Sequence, residues 1–221
     1  MSLQSRISHL VLKYLVVPRM PAVLPDKKHV ACIGDSITFG AGVRGKTQLT
    51  WEYALNRLLG SEYQVLNYGI RGRTLQDEGD YPYTAEKFYP ASLRLCAETY
   101  LILLGTNDAK PYNWDAERYE RELHAFVKGY TALENRPRVL LMTPPRCYAD
   151  PKRGKVAFDI DPDVVDGPVC EAIRRQAALL GLQVIDLNTF TKGQADWFTD
   201  GVHPNAEGNR NIAAYIAKQL R

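Results

Sequence analysis

A serine, a histidine and an aspartate in this chain have the spacing and neighbours that nucleophilic catalysis requires. Ser36 stands in Gly34-Asp35-Ser36, directly after an apolar run ending at about Ile33. A serine hydroxyl is a weak nucleophile and needs an adjacent base. Asp200 precedes His203 by three residues, a spacing that lets a carboxylate orient the imidazole across a turn. Ser36 is thus a candidate nucleophile and His203 a candidate base; the alternative is that Asp200 only caps the last helix.

The residues after Ser36 support a second interpretation. Gly40 to Thr47 match the phosphate-binding pattern G-x-x-x-x-G-K-T. That loop needs its first glycine directly at the end of a strand, where backbone N–H groups and the next helix converge on a phosphate. Gly40 comes six residues too late for this. A P-loop-like nucleotide binder is therefore the disfavoured alternative.

Short β-rich runs alternate with amphipathic stretches of helical length from His29 onward, which predicts an α/β fold with a five-stranded parallel sheet covered on both faces. The predicted strands are His29–Ile33, Tyr63–Tyr68, Tyr100–Leu104, Arg138–Thr143 and Leu182–Leu187. The predicted helices are Trp51–Leu59, Thr84–Ala97, Asp115–Glu134, Val169–Leu180 and about Asn205–Leu220. Residues 144–162 are predicted to form a long loop, and such loops tend to be functional.

Ligands of an open parallel sheet bind beyond the carboxyl ends of its strands. The loops predicted to lie there include Gly34-Asp35-Ser36, then Asn67 to Thr74, then Gly105 to Asp108, and finally Asn188 to His203. Of the four histidines, His203 alone is predicted to lie on this edge. The other three fall in the N-terminal segment (His9), at the start of a strand (His29) and within a helix (His124).

Four ordered segments resemble the sequence blocks of the SGNH (GDSL-type) hydrolases, a superfamily of esterases and lipases. They are Gly34-Asp35-Ser36, Asn67-Tyr68-Gly69-Ile70-Arg71-Gly72-Arg73-Thr74, Gly105-Thr106-Asn107-Asp108 and Asp200-Gly201-Val202-His203-Pro204. The resemblance covers the chain from about residue 28 to its end. It implies a flavodoxin-like, three-layer α/β/α sandwich and a carboxylic ester hydrolase that needs no cofactor or metal.

The resemblance also implies residue roles. Ser36, His203 and Asp200 would form a catalytic triad, and the backbone N–H groups of Ser36 and Gly72 with the Asn107 side-chain amide would form an oxyanion hole. Gly72 is preferred to Gly69 because the family's oxyanion glycine follows a strand-end asparagine by five residues. An uncharged amide and an unhindered glycine N–H suit the developing oxyanion.

The substrate is indicated less directly. Tyr81, Tyr83, Tyr112 and Trp114 fall in segments after the second and third predicted strands, where aromatic faces suit sugar rings or an acyl chain. Both segments are similar to those of carbohydrate O-acetylesterases, which implies removal of acetyl groups from a carbohydrate. The alternatives are that these rings cover the core, that the enzyme is a lipase or lysophospholipase using the apolar Leu10–Val17, or that the chain is a non-catalytic binding module.

Composition excludes several other classes. A net charge of +3, with no basic face, argues against nucleic-acid binding. The four cysteines are widely separated and form no Cys/His cluster, so neither a metal site nor a disulfide framework is expected. Leu10–Val17 is too short to span a bilayer.

The N-terminal region is predicted to be an arm, residues 1–28, that leads into a catalytic domain of residues 29–221. Pro18, Pro21 and Pro25 interrupt any helix there. No small-residue cleavage site follows the apolar run, which favours a cytoplasmic protein, or a secreted or periplasmic one if the natural N-terminus is missing.

Overall fold

A single sheet of five parallel strands lies at the centre of the protein, in the spatial order β2-β1-β3-β4-β5. The structure, a computed structural model, describes residues 18–43, 45–150 and 153–220. The strands are β1 (Lys28–Gly34), β2 (Tyr63–Gly69), β3 (Thr99–Leu103), β4 (Arg138–Thr143) and β5 (Gln183–Asp186). The predicted α/β fold is confirmed.

Helices connect the strands and cover the sheet. They are α1 (Ser36–Phe39), α2 (Trp51–Leu59), α3 (Phe88–Arg94), α4 (Ala116–Thr131), α5 (Pro162–Val164), α6 (Cys170–Leu180), α7 (Leu187–Phe190) and α8 (Ala206–Leu220), with a π-helical turn over Val165–Val169. Local signals set several of their ends. Asp115 caps α4 by accepting the Arg118 N–H, and Gly181 ends α6 in the left-handed conformation.

The helix predicted over Thr84–Ala97 is shorter in the structure. A 3-10 turn over Tyr83–Ala85 comes first, and α3 begins only at Phe88. Pro90 explains the late start, because proline lacks an N–H and is tolerated only in the first turn of a helix. Pro90 is the third residue of α3.

Two apolar cores lie on opposite faces of the sheet. Along β1, Val30 and Cys32 face α2 and α8, whereas Ala31 and Ile33 face the layer of α3, α4 and α6. Both pairs are buried, which explains why the strand sequences are apolar without alternation.

The register of the sheet brings the carboxyl ends of its central strands level. Gly34 at the end of β1 pairs with Gly69 of β2 on one side and with Leu103 of β3 on the other. Thr143 of β4 pairs likewise with Asp186 at the end of β5. The loops that follow these strands therefore share one edge.

The described part of the predicted arm lies along β2. Gln64 donates its side-chain amide to the carbonyl of Ala22 and accepts the Leu24 N–H, both at 2.8 Å. Residues 1–17, which include the apolar run Leu10–Val17, lie outside the described residues. Within the residues that are described, no helix has both the length and the apolar character to cross a bilayer.

Glu52 is a buried acid beneath the end of β2. Its Oε1 accepts hydrogen bonds from Thr50 Oγ1 at 2.6 Å and Asn67 Nδ2 at 2.7 Å. Its Oε2 is buried and has no hydrogen-bond partner in the described structure. Burial raises the pKa of Glu52 to about 7, although these hydrogen bonds oppose the rise.

We expect Glu52→Gln to reduce the loss of folding stability that accompanies a rise in pH through neutrality. The pKa of Glu52 is higher in the folded protein than in the unfolded chain, so the native protein loses stability as pH rises from about 4.5 through about 7. The amide keeps an acceptor oxygen but does not ionise. Urea unfolding at pH 5 and pH 8 gives the change in the free energy of unfolding between the two pH values. This change should be smaller in Glu52→Gln than in the native protein by up to about 3 kcal/mol.

The exposed acid Glu117 provides the control, because Glu117→Gln should leave the pH profile of stability unchanged. Parallel profiles for Glu52→Gln and the native chain would show that Glu52 titrates normally.

Candidate active site

Ser36 lies at the junction of β1 and α1, on the edge where the strand ends meet. Asp35 caps α1 by accepting the Ile37 N–H at 2.8 Å, so Ser36 is the first helical residue. Ser36 is 8% exposed, which leaves its hydroxyl in a mostly desolvated position.

Asp200 and His203 are held together by a tight turn. Oδ1 of Asp200 accepts the backbone N–H groups of Val202 and His203, at 3.0 and 2.8 Å. Gly201 makes this turn possible at a φ of +82°, where an added Cβ would lie 2.0 Å from the Tyr148 carbonyl oxygen. Glycine is required there because of both the conformation and the close approach.

Ser36, His203 and Asp200 form a continuous hydrogen-bonded chain. His203 Nε2 lies 2.8 Å from Ser36 Oγ, and His203 Nδ1 lies 2.7 Å from Asp200 Oδ2. Burial would raise the pKa of Asp200, but the hydrogen bonds and charge of His203 outweigh it and lower the pKa to about 2. A carboxylate that stays ionised can hold the imidazole with its Nε2 toward the serine.

The three residues predicted to form an oxyanion hole lie around one cavity. Ser36, Gly72 and Asn107 line one cavity of about 290 Å³. Gly72 has a φ of +74°, and Asn107 is 6% exposed. The Nδ2 atom of Asn107 lies 3.2 Å from both Asp35 Oδ2 and the Arg73 carbonyl oxygen, which are long contacts for N–H···O bonds.

The wall of this cavity combines polar and apolar groups from four strand ends and α1. The loop after β2 contributes Arg71, and the loop after β3 contributes Lys110. Phe158 and Ile160 come from the long loop after β4. The Phe158 ring packs edge-on against the imidazole of His203, with centroids 5.2 Å apart.

A family model for the GDSL-like lipases and acylhydrolases matches residues 32–210. The chain belongs to this family. An acetylxylan esterase of Xylanibacter ruminicola is 30% identical over 91% of this chain and 45% of that protein, so the chain spans less than half of that relative.

Several solved structures, named for esterase activity, share the fold of this chain. A proposed arylesterase of Agrobacterium tumefaciens is 26% identical, with a TM-score of 0.70 over 88% of this chain and 98% of its own. A carbohydrate acetylesterase of Sinorhizobium meliloti superposes with a TM-score of 0.63 at 21% identity, over 88% of this chain and 98% of its own. At this low identity, the second similarity shows a shared fold and nothing more.

Buried acids connect the loops of this site. Asp35 and Asp108 lie in two of the motif segments, but the motifs do not reveal their burial or their hydrogen-bond partners. Asp35 is fully buried and contacts Asn107, and burial raises its pKa to about 6. Asp108 accepts the N–H groups of Leu75 and Gln76, at 3.0 and 2.9 Å. These bonds connect the loop after β3 to the loop after β2.

Arg73 fixes the loop that contains Gly72. It is fully buried, forms an ion pair with Glu86 at 2.5 Å and donates to the Arg71 carbonyl at 2.8 Å. Its guanidinium also lies over the Tyr81 ring, 5.5 Å from the centroid. The backbone around Gly72 is therefore attached to the core.

The structure places the three aromatic residues predicted to contact substrate outside the lining of the cavity. Tyr83 is fully buried in the core and donates its hydroxyl to the Tyr68 carbonyl at 2.7 Å. Trp114 packs on the same core against Tyr119, and Tyr81 is 8% exposed beside Arg73. None of the three lines the cavity, because each ring covers the core instead.

The phosphate-binding pattern does not form a phosphate-binding loop. β1 ends at Gly34, and the pattern spans two short 3-10 turns, Ala41–Val43 and Thr47–Leu49, rather than a strand-to-helix junction. Lys46 is exposed between them. Across the described residues, no cluster of three or more His, Cys, Asp or Glu side chains is arranged to hold a metal ion.

We expect Asn107→Ala to lower kcat for ester hydrolysis by about a hundredfold or more, because one fixed donor to an oxyanion contributes roughly 3–4 kcal/mol in other enzymes. The measurement is steady-state hydrolysis of p-nitrophenyl acetate. Asn211→Ala, on α8 away from the cavity, is the matched control. An unchanged kcat in a variant with native circular dichroism and melting temperature would show that Asn107 does not donate a hydrogen bond to the oxyanion.

Proposed function

We propose that this protein is a serine esterase that hydrolyses carboxylic esters through an acyl-enzyme. The hydrogen-bonded chain of Ser36, His203 and Asp200 at the base of a cavity carries the proposal. Membership of the GDSL-like family and the ester-hydrolysing relatives support it.

In the proposed mechanism, Ser36 Oγ attacks the ester carbonyl carbon as His203 Nε2 takes the hydroxyl proton. The ionised Asp200 stabilises the imidazolium, and the electron pair of the carbonyl moves to its oxygen. His203 then gives the proton to the leaving alcohol. Water, deprotonated by His203, attacks the acyl-enzyme and releases the acid and the free serine.

The oxyanion is proposed to be bound by the backbone N–H groups of Ser36 and Gly72 and by the side-chain amide of Asn107. The two Asn107 contacts are both long, so one N–H can turn from the Arg73 carbonyl to the oxyanion while the other remains on Asp35. An amide held in this way needs little reorganisation during the reaction.

The substrate class proposed is an acetylated carbohydrate. The 30% identical acetylxylan esterase relative supports this class. A cavity of about 290 Å³ accommodates a short acyl group, and its polar wall residues, among them Arg71, Thr106 and Lys110, suit a hydroxylated leaving group.

We also propose that residues 29–221 form the catalytic domain and residues 1–28 an arm. The family match begins at residue 32, four residues after β1 starts. Ala22 and Leu24 form hydrogen bonds with Gln64 near the amino end of the edge strand β2, away from the carboxyl ends of the strands.

A fluorophosphonate probe tests the nucleophile directly. Ser36 should displace fluoride and become labelled at one residue per chain, as shown by peptide mass spectrometry, because His203 and the oxyanion donors activate it. Ser36→Ala should not be labelled, whereas Ser61→Ala, a change in an exposed turn, should be labelled like the native chain. Labelling elsewhere, or none in a folded native chain, would refute the proposal.

A series of acyl lengths tests the substrate class. We expect kcat/KM for p-nitrophenyl acetate to exceed that for the octanoate by about tenfold or more, since a small cavity rejects added methylenes. Acetylated xylo-oligosaccharides should also be deacetylated. Faster hydrolysis of octanoate or of a lysophospholipid would instead identify a lipase-type acylhydrolase.

A further inference from the structure

Arg71 lies in the wall of the active-site cavity without a carboxylate partner in the described structure. It precedes Gly72 and lines the same cavity as Ser36. The ion pairs formed by the described residues do not include it. The remaining residues, 1–17, 44, 151–152 and 221, contain no Asp or Glu.

The other cations near the cavity are already paired. Lys110 forms an ion pair with Asp80 at 3.0 Å, and Arg73 forms one with Glu86. A partly buried cation without a partner loses hydration and gains no attraction in return. An anion delivered by a ligand would supply the missing attraction at Arg71.

The guanidinium of Arg71 packs against an aromatic ring beside the cavity. It lies over the ring of Phe39, 4.5 Å from the centroid, which is a cation–π contact. Its Nε atom is buried and has no hydrogen-bond partner among the described residues. Burial lowers the pKa of Arg71, yet an arginine remains charged at physiological pH. The terminal nitrogens Nη1 and Nη2 are therefore the donors left to meet a ligand.

The strand order decides which side of the cavity is cationic. Arg71 follows β2 on one side of β1, whereas Phe158 and Ile160 follow β4 on the other side. A substrate with its carbonyl beside Ser36 would thus meet a cation on one side and apolar groups on the other. A planar carboxylate can accept two parallel N–H bonds from Nη1 and Nη2, the geometry in which arginine binds anions most strongly.

We propose that Arg71 binds a carboxylate of the substrate, so that the preferred ester is an O-acetylated sugar acid, such as a uronic acid or an oligosaccharide that contains one. This inference rests on the proposed esterase function and names its substrate more closely. Arg71 is a binding and specificity residue and takes no part in proton transfer.

A matched pair of substrates tests it: the same acetyl ester on a methyl glucuronoside and on a methyl glucoside. The native enzyme should show a kcat/KM about tenfold or more higher for the glucuronoside, and added salt should reduce this ratio. Arg71→Met should bring the ratio close to one, and Arg71→Lys should retain part of the preference, because lysine keeps the charge but loses the planar pair of donors. Arg57→Met, an exposed arginine of α2, is the control and should keep the native ratio.

Direct binding separates this inference from the esterase function. Calorimetry with Ser36→Ala should show methyl glucuronoside binding about tenfold more tightly than methyl glucoside, and Ser36→Ala/Arg71→Met should lose the difference. Equal kcat/KM values for the two esters in the native enzyme would overturn the role of Arg71 and leave the esterase function intact. If no ester were hydrolysed, the proposed function would fail, and equal binding of the two sugars would then overturn the role of Arg71 independently.

Discussion

The hydrogen bond between Ser36 Oγ and His203 Nε2 joins residues 167 positions apart and depends on the whole sheet. Ser36 is placed by the end of β1, whereas His203 is placed by the segment between β5 and α8. These two strands are separated by β3 and β4, so the distance of 2.8 Å requires the intervening strands to be correctly paired. The geometry of the site thus depends on the register, because a shift in any of the three ladders between β1 and β5 would move one group away from the other.

Two buried acids connect the loops of the site, and their burial costs desolvation free energy. Asp35 and Asp108 are both fully buried beside the cavity, and burial raises the pKa of each to about 6. Two apolar side chains in place of these acids would avoid the desolvation cost. They could not, however, accept hydrogen bonds from the Asn107 amide or from the N–H groups of Leu75 and Gln76. In the proposed mechanism, these hydrogen bonds hold the oxyanion donors in place before substrate binds, and such preorganisation lowers the reaction barrier.

Sequence patterns predicted the strands and the triad candidates well for a physical reason. Apolar runs of β-formers identify strands buried on both faces, and the sheet edge then groups the polar loops that follow them. Those patterns do not report burial within a loop. Tyr83 and Phe158 are both aromatic loop residues, yet Tyr83 is fully buried and Phe158 is 52% exposed against His203. Long-range packing determines that difference, so sequence patterns predicted a site role for Tyr83, which lies in the core, and none for Phe158, which lines the cavity.

Arg71 and Arg73 show the same limit in one short segment, and they show how the two sides of the cavity differ. Arg73 is buried in an ion pair with Glu86, whereas Arg71, two residues earlier, lines the cavity. The paired arginine fixes the backbone that presents Gly72. On the far side, Phe158 and Asp159 adopt left-handed φ values of +64° and +57°, a conformation that costs residues with a side chain roughly 1 kcal/mol or more each. The strained backbone thus lies in the wall formed by the loop after β4, where the Phe158 ring packs against His203. The opposite wall, which contains Gly72, is attached to the core through Arg73. If the proposed mechanism holds, substitutions at Phe158 therefore act on the acyl or alcohol side and on His203, whereas the oxyanion donors depend on the Arg73 contacts.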